Sequence, residues 1–548
     1  MMEPVQIQQI YDDLGRLTVW QVLERTAARL PHKVGIIDGA RRRTFSELSE
    51  ECHRLAGKLS RLGLGKGDRA AIYMPNSLEL VTLFYALQRL GVIVAWLNPN
   101  YRETEARFIL ENSGAKALFL FAEWQGFGYL EAVLGISPLP DLRYIVVAGH
   151  PPALPLSDAR VRSLAALEEE SPEVTLTDVG PDDLSMLIYT SGTTGRSKGA
   201  VIRQSQVVRA GWSYSLGVDA TEEDIFIGFL PMTHSYGCGA LLIQPILLGA
   251  TVVLLDHFSP ERAFALIERE GVTLQLAAPA HYILELKHPE RGAYNLSSLR
   301  AGLIAGQIAP ANLITRVERE MGIYISSFLG ASEVGPGLSI ILPYRSSLEV
   351  RERYIGFPLE GTAAKVVDPA TGTEQTPGEP GELLLSGWHV TPGYWRNPQE
   401  TARQIRDGWL HTGDLVARDE NGCFRILGRL KDWINRGGFK VIPSEIEAFL
   451  AQHPKVLEVC VVGTLNPILG ESICACVKIE EGVEPLALEE ARTFLEGRLA
   501  PFKLPDELLI LQDFPRLAGG LKINRFGPGG VVELARSAPD KEVLSRIK

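Results

Sequence analysis

The sequence predicts an α/β protein. A large N-terminal domain of layered α/β subdomains carries a small β subdomain, and a small α+β C-terminal domain follows. Three observations lead there. The chain has 548 residues, too many for one hydrophobic core. Up to about Glu333, short apolar runs of strand type alternate with helical periodicities, the pattern of parallel α/β layers. From about Glu349, short strands are separated by Gly and Pro clusters at Asp368–Gly372, Pro377–Gly381 and Glu420–Gly422, which marks an antiparallel β unit.

The elements follow in order. Val19–Leu64 mixes helical periodicity with a strand–turn–strand: Val34–Ile37, a turn at Asp38-Gly39-Ala40, and the Thr44 region. Helical spacing over Phe45–Leu62 ends at Gly63 and Gly65. Arg69–Met74 reads as a buried strand, and Pro75-Asn76-Ser77 caps a helix through Leu90. Strand Val92–Leu97, helix Glu103–Ser113 and strands Ala117–Phe121 and Tyr144–Val147 come next. Leu184–Tyr189 is a strand, followed by a glycine-rich loop and a helix-like run from about Ser205. Strand Ile225–Phe229, an apolar helix through Leu248, strand Thr251–Leu255, helix Pro260–Glu270 and strands Thr273–Ala277, Leu303–Ala305 and Tyr324–Phe328 complete the alternation. A β-type run ends near Arg429–Lys431, which divides the chain into an N-terminal domain, 1–429, and a C-terminal domain, 430–548. The latter holds helix Ser444–Gln452, with Ser444 and Glu447 spaced as a capping box, then strands Val456–Gly463 and Ile473–Ile479 and a helix near Leu488–Leu499.

Bulk properties narrow the function. A net charge of −11 gives no broad basic surface, so nucleic acid is not an expected partner. Six cysteines without a CxxC pair read as free thiols of a reducing compartment; Cys474 and Cys476 share a strand face but lack companions at zinc spacing. Residues 1–15 have neither a basic n-region nor an apolar h-region. The longest apolar stretch, Leu241–Leu255, is too short and too broken by Gln244, Pro245 and Gly249 to span a bilayer. The expected location is cytoplasmic.

Ile188–Gly199, reading IYTSGTTGRSKG, holds three glycines, five Ser and Thr hydroxyls and two cations. Glycines let consecutive N–H groups converge on an anion, hydroxyls add neutral donors, and Arg196 and Lys198 add charge. That is a polyphosphate cradle. It is not a Walker loop, because Arg196 follows Gly195 and Gly199 follows Lys198. A flexible Ser/Gly linker is the ordinary alternative, and a position between a buried-looking strand and a helix argues against it.

The loop resembles the phosphate loop of the adenylate-forming superfamily, which includes acyl- and aryl-CoA synthetases, peptide-synthetase adenylation domains and beetle luciferases. Four further stretches resemble that family in the same order. They are Gly330-Ala331-Ser332-Glu333; Gly393-Tyr394-Trp395-Arg396-Asn397-Pro398 with Gly408–Asp414; Gly428-Arg429-Leu430-Lys431-Asp432 continuing to Gly437-Gly438 and Pro443–Glu447; and Lys522 within Gly519–Arg525. Together they span the whole chain.

The resemblance implies roles. Thr190, Ser191, Gly192, Thr193 and Thr194 with Gly195 hold the β- and γ-phosphates, assisted by Lys198. Thr194 and Glu333 serve Mg2+. Gly306-Gln307-Ile308 forms an adenine-binding turn, with Gly330, Ala331 and Ser332 beside the same base. Asp414 accepts the ribose hydroxyls, and Arg429 touches ribose or phosphate. Lys522 bridges the carboxylate and the α-phosphate. Gly437 and Gly438 line the thiol's route once the C-terminal domain, mobile about Lys431, has rotated. Lys522, Glu333 and His234 form the catalytic set, His234 as a pocket wall or gate and not a general base; Ala280, His281 and Gly302–Ala305 are further pocket candidates. Three positions depart from the family pattern: Leu329 stands where an aromatic residue is usual, Ser197 where proline is, and Leu521 separates Gly520 from Lys522.

The implied reaction joins a small-molecule carboxylic acid to ATP, giving an acyl-adenylate and pyrophosphate, and then passes the acyl group to coenzyme A. A carrier protein's phosphopantetheine is the alternative acceptor, a non-catalytic adenylate-binding relative is the rival from another class, and a homodimer is left open. Ser235, in a segment where amino-acid-activating relatives carry Asp, argues for an acid without an amine.

Overall fold

Two β-sheets of the N-terminal part are built from strands that interleave along the chain. The computed structural model describes residues 3–136, 139–149, 158–167, 178–190, 197–310, 312–436, 439–480, 482–517, 523–526, 528–539 and 541–543. The nine-stranded sheet runs, in spatial order, Phe357–Pro358, Ile340–Ile341, Tyr324–Leu329, Ala301–Ile304, Leu274–Ala277, Ile225–Gly228, Thr251–Leu254, Val34–Asp38 and Arg41–Thr44. The seven-stranded sheet runs Lys198–Arg203, Leu184–Thr190, Ile93–Trp96, Arg69–Tyr73, Ala117–Phe121, Tyr144–Ala148 and Val161–Ser163. Their inner strands are parallel. Covered on both faces, they read as continuous apolar runs.

Helices Val19–Arg29, Phe45–Arg61, Leu78–Arg89 and Gln204–Ser213 contribute to one core shared by the two sheets. Leu78–Arg89 is buried on nearly every side. Ser77 caps it, accepting the Leu80 N–H at 3.2 Å. Asn76 does something else: its amide donates to the carbonyls of Gly228 and Leu230, both at 2.9 Å, and its Oδ1 accepts the Met232 N–H at 2.8 Å. That one side chain pins the segment leading to His234.

The β subdomain is antiparallel, ordered Thr362–Val367, Gly381–Gly387, Trp409–Arg418 and Ile405–Arg406, with Phe424–Arg429 also on Trp409–Arg418. A short turn, Leu430–Asp432, leads to another sheet containing Ile434–Arg436, Gly470–Ile479, Glu507–Ile510 and Val456–Asn466. Helices Pro443–Leu450 and Leu488–Leu495 contribute to one of its cores. Val531–Ser537 packs with Cys460, Cys474 and Cys476 in another. The sulfurs of Cys474 and Cys476 lie 3.9 Å apart, and all six cysteines are buried and unbridged. Among the described residues, no helix is long and apolar enough to cross a membrane.

The structure corrects three expectations. The helix expected from about Ser205 is there, at Gln204–Ser213, but the glycine-rich loop does not lead straight into it. The loop joins antiparallel strands, Leu184–Thr190 and Lys198–Arg203, with Thr190 opposite Lys198. Lys198–Arg203 is a short edge strand with Gly and cations in it, so its period-2 signal is weak. The capping box is absent. Pro443 takes the first helical position, where a missing N–H costs nothing, and Ile442 becomes the N-cap. Ser444 Oγ donates instead to the Leu427 carbonyl, and Glu447 Oε1 accepts from Val461 N–H and Arg525, both at 2.7 Å. Finally, helices Pro4–Leu14, Pro279–Lys287 and Leu313–Met321 were not expected, and the apolar helix before Gly249 contains a wider i→i+5 stretch, Cys238–Ile243.

Candidate active site

Several site candidates follow the ends of parallel strands, the edge at which open α/β sheets bind ligands. Leu184–Thr190 ends at Thr190, Ala301–Ile304 leads to Gly306, and Tyr324–Leu329 leads to Gly330, Ala331, Ser332 and Glu333. Ile304 pairs with Ser327 in parallel register, which sets the last two ends side by side. Ser191, Gly192, Thr193, Thr194, Gly195, Gly437, Gly438 and Lys522 lie outside the described residues, as does Leu521.

Gly306 turns the chain with φ +90°, and Gly306, Gln307 and Ile308 are all exposed. At Gly330 any side chain is excluded, because a Cβ would lie 1.6 Å from the Gly337 carbonyl oxygen. Leu329 is buried among Val334, Ile340, Leu385 and Leu410 of the β subdomain interface. Ser332 Oγ donates to Ser235 Oγ at 3.4 Å, joining the Glu333 segment to the His234 segment.

His234 is exposed and caps a short helix, its Nδ1 accepting the Tyr236 N–H at 3.2 Å. Behind it stand two tyrosines that sequence reasoning did not assign. Tyr236 Oη donates to the Leu303 carbonyl at 3.0 Å, and its ring stacks on Tyr214 at 5.8 Å and meets the edge of Phe328 at 4.8 Å. Tyr214 Oη donates to the Pro336 carbonyl at 2.9 Å. Burial pushes both hydroxyls well above the ordinary phenol range. His281 lies against Phe229 and Phe258; burial pushes its pKa down to about 4, and its Nδ1 accepts the Ala278 N–H at 3.0 Å. It is a neutral wall.

Glu333 is half-buried, and its Oε1 accepts the Tyr394 hydroxyl at 2.9 Å. Lys198, expected at the phosphates, is buried and ion-paired with Glu400. Glu400 also accepts two Arg403 bonds, at 2.6 and 2.8 Å, and these bonds, with help from Lys198, hold its pKa down at about 2. Asp414 and Arg429 are register partners on adjacent strands, with Arg429 Nε 2.7 Å from Asp414 Oδ1. Asp414 raises the Arg429 pKa most, and Glu333 is the next charge to do so, which places Glu333 within the field of that pair. Tyr394 and Glu400 fall inside a motif already visible in the sequence, but nothing local showed what they touch.

The donor set suits magnesium. One carboxylate, Glu333, engaged on one oxygen by a tyrosine, is the protein share Mg2+ takes when phosphate oxygens and water complete its shell. Among the described residues, no cluster of three or more His, Cys, Asp or Glu forms a cage of its own.

Comparison with known proteins agrees along the chain. The family described as "AMP-binding enzyme" matches residues 23–395, and its C-terminal domain family matches residues 445–520. The chain is 31% identical over 535 residues to a putative acyl-CoA synthetase, YngI, of Bacillus subtilis, covering 94% of this chain and 97% of that protein. It is 31% identical over 538 residues to the human mitochondrial medium-chain acyl-CoA ligase ACSF2, covering 94% and 87%. Among solved structures it resembles the anthranilate CoA ligase AuaEII in complex with anthranoyl-AMP, with TM-score 0.86, 27% identity and coverage of 95% and 98%. It also resembles the o-succinylbenzoate CoA synthetase MenE of Bacillus subtilis in complex with AMP, with TM-score 0.79, 26% identity and coverage of 96% and 100%. With two family domains in sequence and likeness along nearly its whole length, the chain belongs to the AMP-binding enzyme family, among the acyl-CoA synthetases.

Proposed function

We propose that this chain is an AMP-forming acid–thiol ligase: a carboxylic acid and ATP give an acyl-adenylate and pyrophosphate, and coenzyme A then takes the acyl group. The observation that carries the reading is the Asp414–Arg429 pair with Glu333 in its field, in a chain matched by both family domains.

Each group has a task set by its chemistry. Asp414, an ionised acceptor, takes the ribose hydroxyls, and Arg429 exchanges part of its bond with Asp414 for ribose or phosphate oxygen. Glu333 and Thr194 hold Mg2+, which supplies charge neutralisation at the phosphates when bound. The loop from Thr190 to Gly195 offers donors to the departing pyrophosphate. Gly306 to Ile308 and Gly330 to Ser332 flank the base. Lys522 stabilises charge between the carboxylate and the α-phosphate. His234 gates the acyl side.

The domain boundary falls at 429/430, where one sheet ends at Arg429 and the next begins at Ile434. Rotation about Lys431 would let Gly437 and Gly438 line the thiol's route for the second half-reaction. Six buried free thiols favour a reducing, cytoplasmic setting. Ser235 and the rings of Tyr214, Tyr236 and Phe328 favour an apolar acid without an amine. Acid-dependent ATP–pyrophosphate exchange over a panel of fatty, aryl and alicyclic acids, followed by detection of acyl-CoA, tests this. Exchange without any acyl-CoA product turns the reading toward a carrier-protein acceptor, and no exchange with any acid defeats it.

A further inference from the structure

We propose that Tyr394 is a positioning residue for adenylation, its hydroxyl orienting the Glu333 carboxylate toward the nucleotide's divalent cation. The proposal rests on reading Glu333 as the carboxylate that serves Mg2+.

Three features set Tyr394 apart from an ordinary core tyrosine. Its hydroxyl donates at 2.9 Å to Oε1 of the one acidic side chain placed at the end of Tyr324–Leu329. The residue is only 6% exposed, and the carboxylate it faces is itself half-buried. Facing a carboxylate, the phenol O–H donates, and that bond holds Glu333 Oε1 in one place.

The tyrosine is itself held by its backbone. Its N–H donates to Thr401 Oγ1 at 2.9 Å, the Trp395 N–H donates to the Gly199 carbonyl at 2.8 Å, and the Val201 N–H donates to the Gly393 carbonyl at 3.0 Å. Thr391 closes the frame. Its N–H donates to the Glu333 carbonyl at 2.7 Å, and its hydroxyl donates to the Val201 carbonyl at 2.7 Å. Gly393–Trp395 is thus laced on one side to the strand leaving the phosphate loop and on the other to the Glu333 segment.

The ring has a second ionic neighbour. Lys198 Nζ lies 5.6 Å from its centroid, within cation–π range, while paired with Glu400. One side chain touches both ionised groups that sequence reasoning assigned to the triphosphate. Removing the hydroxyl frees the carboxylate to rotate without disturbing the lysine contact.

Tyr394→Phe separates these roles, since it keeps the ring and deletes only the donor. Mn2+ binding to the enzyme with ATP, followed by electron paramagnetic resonance, is expected to weaken roughly tenfold, the scale of one hydrogen bond to a charged group. The Mg2+ concentration for half-maximal ATP–pyrophosphate exchange should rise by a similar factor, with exchange at saturating Mg2+ within about threefold of the parent and an unchanged melting temperature. Unchanged metal dependence overturns the proposal. So does a loss that Mg2+ cannot restore, which is the mark of a merely structural tyrosine. Glu333→Gln separates failure of the underlying reading: if it leaves Mn2+ binding intact, Glu333 is not the metal carboxylate and the proposal falls with it. If Glu333→Gln weakens Mn2+ binding but Tyr394→Phe weakens it further in the double variant, Tyr394 acts independently and the proposal alone is overturned.

Discussion

Arg429 reaches across two antiparallel strands to Asp414, Nε to Oδ1 at 2.7 Å, joining a half-exposed guanidinium to a carboxylate that is 5% exposed. The pair is asymmetric: Asp414 is fixed and Arg429 can swing. In the proposed reading a ribose arriving at Asp414 would compete with Arg429 for the same acceptor, leaving the freed guanidinium beside the nucleotide. Asp414→Asn keeps the shape and removes the charge. Steady-state exchange kinetics should show the KM for ATP rising about tenfold to a hundredfold, the range for one or two hydrogen bonds to a charged group. An unchanged KM would remove Asp414 from the ribose site.

Lys198 and Glu400 are both largely buried, their side chains 7% and 11% exposed. Glu400→Ala strands the lysine charge and should lower stability by about 3–5 kcal/mol in urea unfolding at pH 7. The acid's depressed pKa sets a direction as well. The contribution of Glu400 is complete above the ordinary carboxyl range and fades as pH falls toward about 2. The difference between parent and variant should therefore shrink from pH 6 to pH 3, and a constant difference would show that the pair does not act through charge.

Glu285 is fully buried on helix Pro279–Lys287, and its Oε2 accepts the Gln275 amide at 2.7 Å. Among the described residues neither Glu285 Oε1 nor Gln275 Oε1 has a hydrogen-bond partner, and a proton on Glu285 would turn its free oxygen into a donor. Burial pushes the Glu285 pKa up to about 8, opposed by the Gln275 bond; Tyr282, one turn back on the same helix, is the titratable group that feels its charge. The folded protein therefore holds this proton where the unfolded chain has lost it. Its contribution is complete below the ordinary carboxyl range and is lost as pH rises to about 8, at about 1.4 kcal/mol per unit of pKa difference. Glu285→Gln supplies an N–H in place of the O–H and should flatten that slope, leaving the variant more stable than the parent at pH 9. Parallel unfolding curves for the two from pH 5 to pH 9 would sink the idea.

Under the role proposed for Lys522, Lys522→Ala should slow adenylation by about a hundredfold or more while sparing acyl transfer from supplied acyl-adenylate, since that role needs the charge only while the mixed anhydride forms. Single-turnover assays of each half-reaction decide it, and equal losses in both would remove the assigned role.

Where local pattern decides structure, the sequence was legible to the residue. Helices Glu103–Ser113 and Pro260–Glu270 and strand Ala117–Phe121 lie where periodicity puts them, since an amphipathic or wholly buried run has one economical way to hide its apolar side chains. Lys198–Arg203 was missed because a short edge strand owes its form to a partner rather than to its own alternation. Ser444 and Glu447 had capping-box spacing, but Pro443 moved the helix start and Arg525, far along the chain, claimed the glutamate.

Residue order alone carried the α/β class and the family, which the comparisons bear out, and it suggested the phosphate-loop chemistry. Those properties are local, written in composition and spacing along one stretch at a time. Tertiary structure decided the rest: that Val34–Asp38 lies beside Thr251–Leu254, that Lys198 is neutralised by Glu400, and that Tyr394 holds Glu333. The reason is physical. Such pairings depend on which strands lie side by side and in what register, and the burial of distant faces against one another sets both.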